Sequence, residues 1–172
     1  MIQKCSLLNV LSVFFLEPTS VHFIREIGRR INLAQTSVRN NIKELEKQGI
    51  IKKNKSKPFN GFSANRQSDE FIFYKKVYNF YNTKKIKEAI LEITEPKSII
   101  LFGSYSRGED IENSDIDVII ISKVKKNIDL SKLEKELHRK VNFMIIDSLN
   151  KLDEPLRKNV QKGWVIYGGY DE

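Results

Sequence analysis

The 172-residue chain has a single cysteine, Cys5, and only two histidines, His22 and His138. An internal disulfide framework is excluded, and no Cys/His cluster exists that could hold zinc. No apolar run approaches the ~18 residues that a membrane span needs. The longest, Leu7 to Leu16, is ten residues interrupted by Asn9 and Ser12. It follows Lys4, as the apolar core of a secretory leader would, but Glu17-Pro18-Thr19-Ser20 comes next in place of a small-residue cleavage site. The run therefore reads as a buried helix. These absences point to a cytoplasmic compartment and no membrane partner. What is present is 40% apolar and 30% charged residues, enough for a packed core in one ordinary domain or two small ones.

The charge is unevenly placed. Residues 1–95 hold 17 Lys+Arg against 9 Asp+Glu, a net +8, and residues 96–172 hold 13 against 13, a net of zero. A split of this kind is what a polyanion-binding segment beside a neutral one produces, although a solvated Lys-rich surface would give the same count.

In the basic half, Leu7, Leu8, Leu11, Phe14 and Phe15 recur at helical spacing. Pro18 and Thr19-Ser20 break that helix and offer a cap for a second, carrying Val21, Ile24, Ile27 and Ile31. Asn32-Leu33 makes a turn. A third helix has Val38, Ile42 and Leu45 on one face and Gly49 as its stop signal. Its opposite face carries Gln35, Thr36, Arg39, Asn40 and Lys43, side chains that can reach base edges in a major groove. Ile50 to Asn54 and Phe62 to Asn65 read as two strands around a turn from Lys55 to Gly61 that contains Pro58 and Asn60-Gly61. Lys52, Lys53, Lys55 and Lys57 on this hairpin are within phosphate reach. In order and spacing, Ile24-Arg25-Glu26-Ile27, Thr36-Ser37-Val38-Arg39 and Leu45 to Ile51 resemble the winged helix-turn-helix DNA-binding domain of prokaryotic regulators. The resemblance implies binding to double-stranded DNA. Ala34 departs from it, standing where a Ser or Thr cap is usual, at a local cost of about 1 kcal/mol.

The connector begins with Ser68 as a helix cap, followed by Phe71, Tyr74, Tyr78 and Tyr81 along one face. Asn82-Thr83 is expected to interrupt it, with Ile86, Ile90 and Ile93 continuing to about Thr94 before Pro96. Such a stripe suits a core or a dimer interface, so a homodimer paired through this helix is expected. Lys75, Lys76, Lys84, Lys85 and Lys87 read as a solvated face.

In the neutral half, Ser98 to Phe102 is a buried strand that runs into Gly103-Ser104-Tyr105-Ser106-Arg107-Gly108. Glycine after a strand lets a ligand approach the backbone, and a helix starting there offers free N–H groups to an anion. Asp115-Ile116-Asp117 then opens a second apolar strand. Alternation puts both carboxylates on one face, where a divalent cation would relieve their repulsion; otherwise Asp115 caps a turn and Asp117 is merely exposed. Gly103-Ser104, ten residues, then Asp115-Ile116-Asp117, with Arg107-Gly108 and Asn113-Ser114 between, resembles the DNA polymerase beta-like nucleotidyltransferase superfamily, above all its minimal prokaryotic members. The resemblance covers about residues 97–169. It implies that Gly103 and Ser104 hold a nucleoside triphosphate, ATP being the expected one. Asp115 and Asp117 would bind Mg²⁺ (or Mn²⁺), and Arg107 would help with phosphate charge. A nucleoside monophosphate would pass to a hydroxyl acceptor. Minimal members often act as antitoxins, so a partner toxin protein is a candidate acceptor.

The third carboxylate of that superfamily lies on the next strand, here Lys140 to Ile146, after a helix from Leu130 to Arg139. Asn142 stands in its place. An amide oxygen can ligate a metal but cannot take the acceptor's proton as a carboxylate would. Asp147 is expected on the other face, and His138 on the helix surface. Leu152, Leu156 and Val160 give a last helical stripe, ended by Gly163, and Trp164 to Tyr167 a last strand.

The expected architecture is α+β: a winged helix over 1–66, a helical linker or dimerisation segment over 67–95, and a mixed-sheet nucleotidyltransferase domain over 96–172. Two functions follow. One is a metal-dependent nucleotidyltransferase tethered to DNA, with Asp115, Asp117 and Asn142 at its centre. The other is a transcriptional regulator whose degenerate second domain binds nucleotide without catalysis.

Overall fold

The computed structural model describes residues 5–55, 57–123 and 128–170. Lys4, and residue 56 within the expected Lys55–Gly61 turn, lie outside them. The chain divides into two compact units, Met1–Lys75 and Lys76–Glu172. No helix among the described residues is long and apolar enough to cross a membrane.

The first unit packs α1 (Ser6–Leu16), α2 (Ile24–Arg30) and α3 (Gln35–Lys47) beside an antiparallel hairpin of β1 (Ile51–Asn54) and β2 (Gly61–Ala64). Its core is Val10, Leu11, Phe14 and Phe15 of α1, Ile27 of α2, and Val38, Ile42 and Leu45 of α3, all buried. At the end of α3, Gly49 takes φ +70. Its N–H donates to the Glu46 carbonyl at 3.0 Å, and the Ile50 N–H donates to the Leu45 carbonyl at 3.0 Å. That paired closure needs a left-handed residue, and glycine adopts it without a Cβ penalty. Asn65 then ties the hairpin to the same helix end, its Nδ2 donating to the Gly49 carbonyl at 2.7 Å.

Two local expectations change here. The second helix starts at Ile24, so Val21 is not part of it, and Val21 is exposed. Thr19 and Ser20 do not cap this helix; its N-cap is Phe23, whose N–H reaches Glu26 Oε2 at 3.4 Å. The intervening His22 instead adds a bridge to the hairpin, with N–H to carbonyl bonds of 2.8 Å in both directions to Phe62. Its ring is buried edge-on against Phe14 and sits 3.0 Å from the Glu17 carbonyl.

Helix α4 (Asp69–Leu91) is one uninterrupted helix, in which the division between the units falls. Ser68 does cap it, accepting from the Phe71 N–H at 3.4 Å. Thr83 does not break it, because its hydroxyl donates to the Phe80 carbonyl at 2.7 Å and so competes with nothing the helix needs. Lys75 is buried, not solvated.

The second unit is a four-stranded mixed sheet in the order β5 (Val141–Ile146), β4 (Ile116–Ile121), β3 (Ser98–Phe102), β6 (Trp164–Tyr167). Only β4 and β5 run parallel. Strand alternation builds two core layers. Ile99, Leu101, Ile116, Val118 and Ile120 pack with Ile86 and Ile90 of α4 and with Leu133 and Leu137 of α6 (Ser131–Leu137). Ile100, Ile119, Ile121 and Ile146 pack with Val160 of α7 (Glu154–Gln161) and with Leu152. Strand β4 is apolar at every position from 118 to 121 because both its faces are covered.

A polar network crosses this core. Asn79 of α4 donates to the Tyr105 carbonyl and to Asp110 Oδ1, both at 2.8 Å. Asp110 faces Arg139, with 3.6 Å between Oδ2 and Nη2, and both are buried; the Arg139 guanidinium also donates to the Glu112 carbonyl. Removing one member of a buried ion pair strands the other. Asp110→Ala should cost about 3 kcal/mol of stability in urea unfolding. A loss under about 1 kcal/mol would mean that water reaches the guanidinium and that the network does not hold the unit together.

Candidate active site and nucleic-acid interface

Strand β3 ends at Phe102, and the short helix α5 (Gly103–Arg107) starts at once. Gly103 takes φ +77, and a Cβ built on it would lie 2.3 Å from Asp117 Oδ2. A side chain here would have to displace the Asp117 carboxylate and adopt a strained left-handed backbone, so glycine is strongly favoured. Asp117 is the second residue of β4, opposite Phe102 on β3 and opposite Asn142 on β5. The pairing of β3 and β4 thus presses a carboxylate onto the glycine turn.

Asp117 is half-buried. Burial, then the neighbouring Asp115 charge, push its carboxyl above the usual range; a hydrogen bond from the Asn142 side chain and the Arg107 charge pull the other way. Asp115 stands just before β4 and is half-buried. Arg107 is exposed, its Nε bonding Glu109 Oε2 at 2.7 Å and its Nη1 lying 3.4 Å from Asn159 Oδ1 of α7. Ser104 is half-buried in the first turn of α5. Gly103, Asp115, Asp117, Asn142 and Arg107 therefore interact around one carboxylate.

Asp115 and Asp117 could hold a divalent cation, with the Asn142 amide oxygen as a third ligand. Among the described residues no group of three or more His, Cys, Asp or Glu side chains converges. The donor set fits Mg²⁺, which takes one or two carboxylates and leaves positions for phosphates. Burial is the larger cause of the raised proton affinity of Asp117 and the Asp115 charge the second; a cation between the two carboxylates would relieve that second part.

Asp147 directly follows β5 and pairs with Lys151. At about 3.3 Å per residue it is roughly 16 Å along the strand from Asn142 and cannot replace it. His138 closes α6 in a left-handed conformation and lines a groove of about 560 Å³ beside Asp115, with Asn113, Ser114, Lys135 and Lys140. The sequence reading missed this groove, because the loop at 112–115 and the end of α6 meet only in the fold. It also missed Asp110 and Arg139, whose pairing has no local signal.

In the first unit, Gln35, Thr36, Arg39, Asn40 and Lys43 are all exposed on α3, opposite its buried face. Lys52 and Lys53 are exposed on β1, and Lys55 and Lys57 on the turn beyond it. Ala34 makes no side-chain cap.

Residues 83–167 match the nucleotidyltransferase domain family, and residues 24–52 match the winged helix-turn-helix DNA-binding family. The chain carries a nucleotidyltransferase domain behind a winged helix-turn-helix. A protein of Methanocaldococcus jannaschii, provisionally named a protein adenylyltransferase, is 49% identical over 37 residues. That stretch is 22% of this chain and 37% of the relative, so the similarity spans little more than a third of the relative's length. No solved structure matches the chain.

The glycine turn of the nucleotidyltransferase domain generates a test. Gly103→Ala should lose about 1–2 kcal/mol from the left-handed backbone alone. It should also push Asp117 aside, so that Mg²⁺ with a non-hydrolysable ATP analogue no longer raises the melting temperature. An unchanged ligand-induced shift would remove the glycine–carboxylate contact from the site.

Proposed function

We propose that the protein is a DNA-bound, metal-dependent nucleotidyltransferase that moves a nucleoside monophosphate from ATP to a hydroxyl on a protein, in the cytoplasm. The reading is carried by the carboxylate of Asp117 lodged against Gly103, with Asp115 and Asn142 beside it. The name of the archaeal relative supports adenylyl transfer and a protein acceptor. A partner toxin protein is the acceptor to test first.

In this reaction the acceptor oxygen bonds to the α-phosphorus while the bond to the bridging oxygen breaks, and pyrophosphate leaves. A divalent cation bound by Asp115 and Asp117 would neutralise charge growing on the phosphates. The Gly103–Ser104 turn brings backbone N–H groups near the triphosphate, and Arg107 supplies positive charge close to Asp117. Asn142 holds the Asp117 carboxylate by donating a hydrogen bond to it. It has no basicity, so the acceptor's proton must leave to water or to a substrate phosphate, and turnover is slow.

That last property favours a second reading, a transcriptional regulator that senses nucleotide without catalysis. Labelled ATP, Mg²⁺ and cell lysate separate the two. Wild type should transfer label to a protein, Asp115→Asn should abolish the transfer, and Asn142→Asp should raise it about a hundredfold by restoring a base. ATP–Mg²⁺ binding with no transfer by either wild type or Asn142→Asp would leave only the sensor.

For the winged helix, DNA affinity should fall steeply with salt because each neutralised phosphate releases counterions. Lys52→Ala with Lys53→Ala should flatten the log–log salt slope by about two. Arg39→Ala should weaken binding by about 1–3 kcal/mol and relax the preference at one base pair. A salt slope unmoved by the lysine pair would take the hairpin off the phosphate backbone.

A further inference from the structure

The sheet of the second unit ends at β5 on one side. In the parallel pairing with β4, the Ile116 N–H donates to the Lys140 carbonyl at 2.8 Å and the Ser122 N–H to the Ile146 carbonyl at 2.9 Å. Alternation along this ladder turns the backbone groups of Asn142 and Met144 toward β4 and those of Val141, Phe143 and Ile145 outward. The outward Val141 N–H is taken by Glu134 Oε1 of α6 at 2.8 Å. Among the described residues nothing accepts from the outward N–H groups of Phe143 and Ile145. Natural sheets guard such an edge with charge, proline or a bulge. Val141–Ile146 has no charged residue, proline or glycine, and exposes Phe143 at 36% and Met144 at 47%.

The backbone groups decide what fits this edge. N–H and C=O groups alternating at strand spacing are matched by an extended polypeptide, not by a nucleic acid or a small molecule. The register then ties that polypeptide to the site. Asn142 is directly opposite Asp117, so both side chains stand on one face of the sheet. A strand added beyond β5 places one residue opposite Asn142 on that face, with its Cα about 4.8 Å from that of Asn142 and about 10 Å from that of Asp117. A short hydroxyl side chain there extends the Asp117–Asn142 row by one rung, whereas a tyrosine ring would carry its oxygen beyond the row. The neighbouring positions are apolar, Met144 on the same face and Phe143 on the other. The fitting segment therefore has its hydroxyl residue opposite Asn142, an apolar residue two places along opposite Met144, and another between them opposite Phe143. The pattern is the same whichever way the strand runs. A second copy of β5 would bring no hydroxyl, since Val141–Ile146 has none.

We propose that β5 receives an extended segment of the acceptor protein as a fifth strand of the sheet, with a serine or threonine hydroxyl opposite Asn142. The proposal names the acceptor's chemistry and rests on the reading of nucleotidyl transfer to a protein; the strand addition itself needs no catalysis. In the transfer, the hydroxyl oxygen bonds to the α-phosphorus of ATP while the bond to the bridging oxygen breaks. Pyrophosphate leaves, and the hydroxyl proton passes to water or to a substrate phosphate. Main-chain bonds at Phe143 and Ile145 supply affinity, and the hydroxyl and apolar positions supply specificity.

The peptide Lys-Val-Val-Ser-Val-Val-Lys, blocked at both ends and charged to limit self-pairing, tests this with the full chain. At about millimolar concentration it should slow amide hydrogen exchange at Phe143 and Ile145 at least about tenfold, and leave Asn142 and Met144, already bonded to β4, unchanged. Phe143→Pro removes an outward N–H and sets a ring on the edge. It should abolish the protection at Ile145 and keep the rise in melting temperature that Mg²⁺ with a non-hydrolysable ATP analogue gives. Where Phe143→Pro unfolds, the exposed Met144→Ser takes its place and should weaken the peptide at least about threefold by removing the apolar contact. With labelled ATP and Mg²⁺, wild type should label the serine peptide and not its alanine counterpart, and Phe143→Pro should label it at least about tenfold less. Protection without transfer would sink the nucleotidyl-transfer reading and leave strand addition standing. Exchange at Phe143 and Ile145 unmoved by the peptide, or transfer undiminished in Phe143→Pro, would overturn the proposal. So would a wild-type dimer that Phe143→Pro dissolves, because the edge would then belong to a second copy.

Discussion

The second unit is organised around a carboxylate that sits where a side chain would otherwise be. Asp117 fills the space in front of Gly103, and the two strands that bring them together are the inner pair of the sheet. With no Cβ at 103 the chain can turn left-handed at φ +77 and pass from β3 into α5 without a loop. The hydrophobic layers on both sheet faces hold the pair in register, so the unfavourable placement of a half-buried acid beside a second acid is set against the whole core. The site is destabilised locally and supported globally, the usual arrangement where a charged group must stay ready for a ligand.

Much of this was legible in the sequence because its signals are local and periodic. Gly103-Ser104 and Asp115-Ile116-Asp117 sit at the ends of two apolar runs, and antiparallel pairing of consecutive strands brings them together. Asn142 was legible only through the superfamily resemblance, which expects a third carboxylate on the next strand; in the structure β5 pairs in parallel with β4, with Asn142 directly opposite Asp117. The buried face of α3 and its Gly49 stop followed from helical spacing in the same way. What was hidden depends on partners distant in sequence. Arg139 looks like one more surface cation until it meets Asp110, and Lys75 like one more solvated lysine. His22 leaves no trace of its bridge to Phe62, forty residues on, because one bridging residue has no period.

Helix α4 is the clearest case of a pattern read correctly in kind and wrongly in phase. The aromatic density was visible, but two apolar sides overlap in one segment and blur any single stripe. Burial separates them: the i, i+4 ladder of Phe71, Lys75, Asn79 and Thr83 lies inward and the Phe73, Val77, Phe80 ladder outward. Asn82-Thr83 looked like a break because Thr lowers helix propensity, yet one hydroxyl bonded back to the Phe80 carbonyl is no obstacle in a helix held by tertiary packing.

The uneven charge gains a physical meaning once the sites are placed. The excess of +8 lies within residues 1–95, where α3 and the hairpin expose their cations, while residues 96–172 are neutral. Beside Asp117, Asp115 adds a second carboxylate, and the Arg107 cation that acts on it is shared with Glu109. In the proposed function, a nucleic-acid backbone would find more positive charge on the first unit than beside these carboxylates. A triphosphate with its divalent cation would, in the proposed function, bring the positive charge that Asp115 and Asp117 lack. Two polyanionic ligands can then be sorted between two sites by the sign of the local field before any shape complementarity is tested.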